Sequence, residues 1–415
     1  MQESSNESPG DSGKSCAVRR SLIKQPGQAW TGATTAPVAR AAWGRKARAA
    51  VAGDNSPARR LPSLLLLASA ALAGCVSYPT ASELRATVAA FPGRAPPPGE
   101  DGRARFREIF CSLAAPGGEP PAGEMSCNSL LWKLADEPVP GDPPASLPTL
   151  AAHLHIFVVS GAFGDCRKLD TVPYGDGIER LAAQDVAIQA VMVSGRSGVE
   201  HNARQIADAV EAAHVPQGDR VVLIGYSKGA VDILKFLLDF PELARSVAAV
   251  VSVAGPILGS PLANTADWWY REFFARSFSS TCDPGDGRVL ESLLPDVRRQ
   301  WLVEHPLPAH VRYFSLASFT TRKHLGRGLT MTWAMLADDD IRNDGQVLIE
   351  DAVIPGSVLL GYANADHWDV AISIDKQMPA LSARPSTRHF PRDTLLDAML
   401  LYVSESLASS RQPAP

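Results

Sequence analysis

Several familiar signatures are missing from this sequence. It has no Cys-x-x-Cys pair and no His-Glu-x-x-His motif, so it predicts no zinc site built by the protein, and nothing else in it predicts a cofactor. Positive charge is not in excess, because 40 Lys and Arg residues face 44 Asp and Glu residues. There is no basic stripe and no interleaving of basic and aromatic residues, which argues against nucleic-acid binding and against electrostatic attraction to anionic lipid.

Long apolar runs are scarce, and the clearest one is short. Residues 61–73 are apolar and follow Arg59 and Arg60, a length and charge pattern typical of a removed export signal rather than of a membrane span. The run ends in Leu72-Ala73-Gly74-Cys75, which resembles the bacterial lipoprotein box, whose cysteine is lipidated and becomes the new N-terminus. The alternative is an ordinary secretory signal cut nearby. We expect a protein of the bacterial cell envelope, anchored through Cys75 to the outer membrane and facing the periplasm.

Residues 1–74 are therefore expected to be leader and signal peptide. Residues 1–58 are long for a leader, which suggests a true start near Val51. Removing 1–74 takes away ten of the 40 basic and four of the 44 acidic residues and leaves a net charge of −10. That charge makes nucleic-acid binding still less expected.

Four cysteines follow Cys75 in a compartment that permits disulfides: Cys111, Cys127, Cys166 and Cys282. They allow three connectivities. Proximity in sequence favours Cys111 with Cys127, which leaves Cys166 with Cys282; the alternative is four free buried thiols.

The chain changes texture near residue 151. Residues 75–150 are rich in proline and glycine and predict a lipid anchor, a tether and an irregular lead-in with one helix over 128–135. From 151 to about 410, apolar strand-like runs alternate with helical segments. This alternation predicts an α/β domain whose mostly parallel sheet is covered by helices on both faces. Strands are expected over 155–159, 186–193, 221–224, 247–254, 311–316 and 357–362, and helices over 177–184, 198–214, 230–240 and 394–404.

The segment from about 259 to 310 interrupts the alternation and predicts an inserted helical cap. Its aromatic side chains either line a pocket for an acyl chain or form the core of the cap itself. The aromatic residues in question are Trp268, Trp269, Phe273 and Phe274.

The most informative motif is Gly225-Tyr226-Ser227-Lys228-Gly229. A G-x-S-x-G pattern alone is weak, but here an apolar strand precedes it and a helical pattern follows it. Strand, sharp turn and helix are the required order for a nucleophilic serine held in strained backbone geometry. The sequence predicts Ser227 as a nucleophile, and the alternative is a strand-to-helix turn with an incidental serine.

A nucleophilic serine needs a base to take its proton and a carboxylate to orient that base. His367 directly follows the last predicted strand and precedes the closing helix, so it is the candidate base. His389 is interpreted as a surface residue. The other three downstream histidines, His305, His310 and His324, precede the candidate acid, so their order in the chain is wrong.

Asp344, in Asn343-Asp344-Gly345, is the candidate acid because it lies between nucleophile and base in the chain. The alternative is that it only forms the turn. Three neighbouring carboxylates are its substitutes, although they are more typical of a solvated run. These are Asp338, Asp339 and Asp340.

An oxyanion hole is expected from backbone N–H groups: that of Lys228 and one from the loop 160–164, either Ala162 or Phe163. The loop 194–198 precedes a helix, and we favour a plain loop there over an anion site. Asp369 stands two residues after His367 as in the calcium loop of some lipases. The other calcium ligands have no match, so we favour a structural role and predict no metal site.

Taken together, Gly225-Tyr226-Ser227-Lys228-Gly229, the segment 252–263, the Asn343-Asp344-Gly345 turn and Asp366-His367-Trp368-Asp369 resemble the α/β-hydrolase superfamily, near bacterial lipases and GPI inositol-deacylase-like hydrolases. The resemblance covers about residues 153–408. It implies an α/β-hydrolase fold and a Ser-Asp-His triad. Ala254-Gly255-Pro256 replaces the Pro-His pair of those lipases, and Lys228 replaces an apolar residue or Gln, which argues against triglyceride specificity.

These observations predict a lipid-anchored serine hydrolase that cleaves hydrophobic carboxylic esters through an acyl-enzyme on Ser227. Two alternatives remain. The same fold also supports acyl transfer to an alcohol, and a relic of the fold would serve as a non-catalytic binding lipoprotein of the envelope. The sequence makes no prediction about oligomeric state.

Overall fold

The computed structural model of the chain describes residues 99–115, 126–139, 146–165, 172–265, 283–373 and 390–409. The chain divides into two units, Met1–Gly74 and Cys75–Pro415, and every described residue belongs to the second. Several expectations lie outside the described residues: those on the leader, Cys75, Cys166, Cys282, His389 and the four aromatic residues Trp268, Trp269, Phe273 and Phe274.

Seven strands form one sheet. They are β1 Glu100–Asp101, β2 Leu154–Val159, β3 Ile188–Val191, β4 Arg220–Tyr226, β5 Val247–Val253, β6 Arg312–Ser318 and β7 Val358–Ala363. The helices are α1 Arg103–Ala114, α2 Cys127–Leu130, α3 Gly175–Ala182, α4 Val199–Ala212, α5 Lys228–Asp239, α6 Pro241–Ala244, α7 Pro261–Asn264, α8 Pro295–Glu304, α9 Thr330–Leu336 and α10 Arg392–Ser409. Single 3-10 turns are at Glu291–Leu293, Arg322–His324 and Arg327–Leu329.

The strand order is β1-β7-β6-β5-β4-β2-β3, and every pairing is parallel. The chain runs from β2 outward to β3, then returns to the other side of β2 with β4 and continues in one direction to β7. The direction of winding therefore reverses between β2 and β4. In such sheets the crevice at the carboxyl ends of the strands beside this reversal is the usual ligand site.

Helices cover both faces of the sheet. One face packs against α1, α3 and α10, through residues such as Phe106, Leu181 and Leu396. The other packs against α4 and α5, through residues such as Ile206 and Leu234. Burial from both sides explains why β4 reads as an unbroken apolar run, since neither of its faces meets water. The predicted parallel sheet with helices on both faces is confirmed.

The lead-in differs from expectation. Residues 99–115 are not an irregular tether, because β1 pairs with β7 and α1 buries Phe106, Ile109 and Phe110 completely in the core. The helix expected over 128–135 is confined to Cys127–Leu130. It ends there because Leu131 forms an antiparallel bridge with Ala363 at the end of β7. This part of the lead-in therefore belongs to the folded domain.

A disulfide joins Cys111 on α1 to Cys127 on α2, with 5.2 Å between their Cα atoms. It links the two helices of the lead-in. Its predicted companion, Cys166 with Cys282, falls outside the described residues.

The segment expected to form a cap lies between β5 and β6. Its described second half contains α8, whose Trp301 and Leu302 pack against the apolar core on the α4 and α5 face. This helix is therefore the crossover from β5 to β6 rather than part of a cap. Residues 266–282, which hold the four predicted pocket aromatics, lie outside the described residues.

Across the described ranges, no helix combines the length and the apolar character needed to cross a membrane.

Candidate active site

Ser227 stands between β4 and α5 with φ of 53° and ψ of −130°, a conformation that residues with side chains rarely adopt. The flanking glycines permit it. A Cβ atom on Gly225 would lie 2.4 Å from the Cα of Ala230, and one on Gly229 would lie 2.5 Å from the carbonyl oxygen of Ser160. The Ser227 amide donates to the Val253 carbonyl over 3.0 Å, which fixes the turn to the end of β5. This is the sharp strand-to-helix turn that the sequence predicts.

His367 lies in the loop after β7, and its Nε2 is 2.8 Å from the Ser227 Oγ. Its backbone is held on both sides. The His367 amide donates to the Asp344 carbonyl over 2.9 Å, and its carbonyl accepts from the Tyr226 hydroxyl over 2.7 Å. The imidazole is buried, while Ser227 is only half-buried and remains open to a reactant.

Asp344 completes the hydrogen-bonded line, because its Oδ2 accepts from the Nδ1 side of His367 over 2.8 Å. Its turn is built as expected. The Asn343 side chain accepts from the Gly345 amide over 2.9 Å, and Gly345 has φ of 94°, which favours glycine. Asp340, one of the substitute acids, instead forms an ion pair with Arg342 at 2.6 Å.

The Asp344 carboxylate is saturated with donors. Besides His367, its Oδ2 accepts from the Ser318 hydroxyl over 2.9 Å. Its Oδ1 accepts from the amides of Gln346 and Val347 over 2.9 and 2.8 Å. Four hydrogen bonds to the two oxygens fix the orientation of this buried carboxylate.

Two side chains near His367, those of Tyr226 and Asp366, have shifted pKa values. Burial raises the pKa of Tyr226 well above its usual value, and the nearby Asp344 and Asp366 carboxylates raise it further. Tyr226 therefore stays protonated and keeps donating to His367. Burial also raises the pKa of Asp366, although the amides of Asp369, Gly326 and Trp368, which donate to its carboxylate, oppose that shift.

The predicted oxyanion donors are the Lys228 amide and one amide of the loop 160–164. The Lys228 amide belongs to the first residue of α5, where an N–H has no acceptor within the helix. In the 160–164 loop, a Cβ on Gly161 would lie 3.3 Å from the Ser227 Oγ, so this backbone passes directly beside the Ser227 hydroxyl. The Phe163 amide donates to the Gly195 carbonyl over 3.2 Å, which removes Phe163 from the candidates and leaves Ala162.

The side chain of Lys228 does not face the reactant. It is buried, and its Nζ is 2.5 Å from the Asp232 Oδ1 one turn along α5. On sequence alone, Lys228 argues against triglyceride specificity. Because its side chain is buried against Asp232, Lys228 gives no evidence about the polarity of the substrate pocket.

The loop 194–198 is accounted for without a ligand. The Gly198 amide, at the start of α4, donates to the Asp286 carboxylate over 2.9 Å, and the hydroxyls of Ser194 and Ser197 are 2.8 Å apart. A carboxylate of the chain thus occupies the position that an anion would take. Within the described ranges, no group of three or more metal-ligating side chains comes together.

Sequence reasoning missed three supporting residues. Tyr226 stands inside the serine motif and Asp366 beside His367, so proximity to the motifs was the available signal for both. Ser318 ends β6 and carries no signal in the sequence beyond its place at the carboxyl end of a strand.

Comparison with known proteins gives matches among solved structures. No protein-family model matches the chain, and no curated protein matches it significantly. Among solved structures, the metagenomic carboxyl esterase MGS0156 is 37% identical, with a TM-score of 0.66, over 79% of this chain and all of that one.

Two others are more distant. The mature lipase BlEst2 of Bacillus licheniformis is 20% identical over 54% of this chain and 89% of that one, with a TM-score of 0.42. The thioesterase RedJ, from the prodiginine biosynthetic pathway of Streptomyces coelicolor, is 20% identical over 63% and 91%, with a TM-score of 0.36. The parallel sheet, the serine turn at its carboxyl edge and the identity to MGS0156 place the chain in one family: it belongs to the α/β-hydrolase superfamily.

Proposed function

We propose that this protein is a serine hydrolase of carboxylic esters that works through an acyl-enzyme on Ser227. One observation carries the proposal. The Ser227 hydroxyl, the His367 imidazole and the Asp344 carboxylate form one hydrogen-bonded line with 2.8 Å at each step. The name carboxyl esterase, printed for the 37% identical structure, supports the bond type.

In acylation, the Ser227 Oγ attacks the ester carbonyl carbon while His367 Nε2 accepts the hydroxyl proton. Asp344 holds Nδ1 protonated and stabilises the imidazolium that forms. The carbonyl oxygen takes up the negative charge facing the amides of Lys228 and Ala162. When the intermediate collapses, the bond to the alkoxy oxygen breaks, and the leaving alcohol takes the proton from His367.

Deacylation repeats these roles with water. His367 accepts a proton from water as the water oxygen attacks the acyl carbon. Collapse breaks the bond to Oγ, returns the proton to Ser227 and releases the carboxylic acid. The site thus needs no cofactor for this reaction.

We propose a hydrophobic ester as the substrate, and a series of p-nitrophenyl esters of increasing acyl length measures its preference.

We further propose that Cys75 carries the lipid that anchors the enzyme to the bacterial outer membrane, facing the periplasm. The charged, apolar and small-residue order of residues 59–75 supports that anchor. Mass spectrometry of the protein from its native membrane should find a lipidated Cys75 N-terminus, and a mature chain that retains residues 1–58 would refute it.

The central test is labelling with a fluorophosphonate, which traps an activated serine. Wild-type protein should be labelled and should hydrolyse p-nitrophenyl esters, while Ser227→Ala should lose both. Ser292→Ala is a matched control, because Ser292 is a buried serine whose hydroxyl donates to the Arg288 carbonyl, and this variant should keep its labelling at Ser227. Labelling that survives in Ser227→Ala would overturn the mechanism, whereas turnover of short-chain esters alone would remove only the hydrophobic substrate.

A further inference from the structure

Three charged side chains that the mechanism does not use are buried at the first turn of α5 and on α8. Lys228 and Asp232 form the ion pair in the first turn of α5, and Arg298 on α8 acts electrostatically on Asp232. All three are 2% exposed or less. Asn202 on α4 joins them, because its amide donates to the second oxygen of Asp232 over 2.8 Å.

Stability does not explain this cluster. Two charges removed from water are often no more stabilising than a neutral pair of the same size. Burial raises the pKa of Asp232 even though Lys228, Asn202 and Arg298 all favour its ionised form, so the ionised state is disfavoured by the site itself. A buried ion pair kept at such a position therefore calls for a reason in the chemistry of the site.

The position of Lys228 in the serine turn supplies such a reason. Lys228 contributes the backbone amide that faces the developing oxyanion, and its side chain bonds to Asp232 four residues later. The first turn of α5 is thereby closed by its own side chains. On its other side, Gly229 leaves no room for even a Cβ against the carbonyl oxygens of Val159 and Ser160. The turn that aims the amide is held from both sides.

We propose that Asp232 is a positioning residue for the oxyanion hole: its pair with Lys228 fixes the backbone amide that receives the oxyanion. This inference rests on the proposed function, since it presumes that Ser227 passes through a charged tetrahedral intermediate. It assigns the lysine of the serine motif to transition-state stabilisation rather than to substrate contact.

The test compares single and double variants in p-nitrophenyl butyrate hydrolysis and in thermal unfolding. Asp232→Asn should lower kcat about 10- to 100-fold and leave KM within about twofold, because the lost interaction acts in the transition state. It should also lower Tm, because Lys228 stays buried without a counter-charge. Lys228→Met/Asp232→Asn removes both charges, nearly keeps both shapes and retains an acceptor for Asn202. It should regain the wild-type Tm while kcat stays at least tenfold low.

The same helix offers the control. Lys235 and Asp239 form an equivalent pair, also four residues apart, at 2.9 Å near the surface of α5. Lys235→Met/Asp239→Asn should leave kcat, KM and Tm near wild-type values. A pair of this kind on the protein surface contributes little.

Each outcome decides the inference. If Lys228→Met/Asp232→Asn regains kcat together with Tm, or if Asp232→Asn keeps wild-type kcat, the cluster is only structural and the inference is wrong. Should Asp232→Asn fail to fold, the double variant alone still gives this comparison. Wild-type protein that shows no Ser227-dependent labelling would overturn the proposed function, and this inference with it. An active wild type together with an active double variant would overturn the inference alone.

Discussion

At the scale of single residues, Asp344 shows how the site depends on hydrogen-bond direction. Its Oδ1 accepts from two backbone amides, so an asparagine there would keep its carbonyl oxygen on that side. Its NH2 group would then face His367 Nδ1 and the Ser318 hydroxyl, which now donate to a carboxylate oxygen. A donor in that place would favour the imidazole tautomer that carries its proton on Nε2, which cannot accept a proton from Ser227.

We therefore expect Asp344→Asn to lower kcat about 10³- to 10⁴-fold with little change in KM. Steady-state hydrolysis of p-nitrophenyl butyrate measures both constants. Asp338→Asn is the control, because Asp338 is an exposed carboxylate six residues earlier and should behave as wild type. An Asp344→Asn enzyme that retained a tenth of the wild-type kcat would show that another carboxylate orients the histidine.

The sequence predicts residues that are restricted by local motifs and chain order. It does not predict residues whose role depends on contacts that are distant in the chain. Ser227, Asp344 and His367 occupy positions that local motifs and chain order restrict, and the structure brings the three together. Tyr226 acts through a carbonyl 141 residues away, so no local pattern records its partner. The choice between Ala162 and Phe163 depended on which amide the Gly195 carbonyl already engages, which is a tertiary fact.

At the scale of elements, predictions succeeded where burial is uniform along the chain. Strands β4 and β5 are buried on both faces, so a continuous apolar run revealed them. Helix α1 was missed because three arginines break its apolar pattern, and two of them are buried with partners. Arg107 pairs with Glu137, and Arg103 with Asp101 at 2.7 Å. Its apolar residues Phe106, Ile109 and Phe110 nevertheless have the three- and four-residue spacing of a helix face.

The burial of α1 predicts that the lead-in is needed for folding. The Phe106 ring is completely buried, 6.4 Å from the Phe110 ring and 6.1 Å from the Tyr402 ring of α10. Phe106→Ala should lower the free energy of unfolding by about 3 to 5 kcal/mol, because it removes apolar contacts and leaves a cavity. Urea denaturation with the disulfide intact measures the change.

Ser112→Ala on the same helix should change stability by less than about 0.5 kcal/mol, since Ser112 is exposed. A loss below about 1 kcal/mol for Phe106→Ala would mean that α1 rests on the domain without supporting it. The folding unit would then begin near residue 151, at the domain boundary that the sequence predicts.

At the scale of the whole molecule, helices cover both faces of the sheet, and tyrosines are buried throughout the domain. Burial raises the pKa of each of five tyrosines above the ordinary value near 10: Tyr174, Tyr226, Tyr313, Tyr362 and Tyr402. For Tyr362 and Tyr402 the pKa is about 12. In the unfolded chain these hydroxyls ionise normally. The folded state therefore binds more protons than the unfolded state once the pH exceeds about 10.

The sign of the effect follows from that difference. Stability from the protonated tyrosines is fully present below about pH 10 and is lost as the pH rises from there toward the folded-state pKa values. A completely buried tyrosine contributes a fall of up to about 1.4 kcal/mol per pH unit in that window. Urea denaturation at pH values from about 9 to 11 should show this fall, and the ultraviolet absorbance of tyrosinate from these five side chains should rise together with unfolding rather than before it.

Tyr174→Phe isolates one contribution. The Tyr174 hydroxyl is buried and has no hydrogen-bond partner among the described residues, so its removal should leave stability at neutral pH unchanged or slightly higher. The same variant should lose its share of the alkaline fall, up to about 1.4 kcal/mol per pH unit, because phenylalanine cannot ionise in either state. If Tyr174→Phe and wild type lose stability with the same slope above about pH 10, tyrosine burial is not what limits the alkaline stability of this fold.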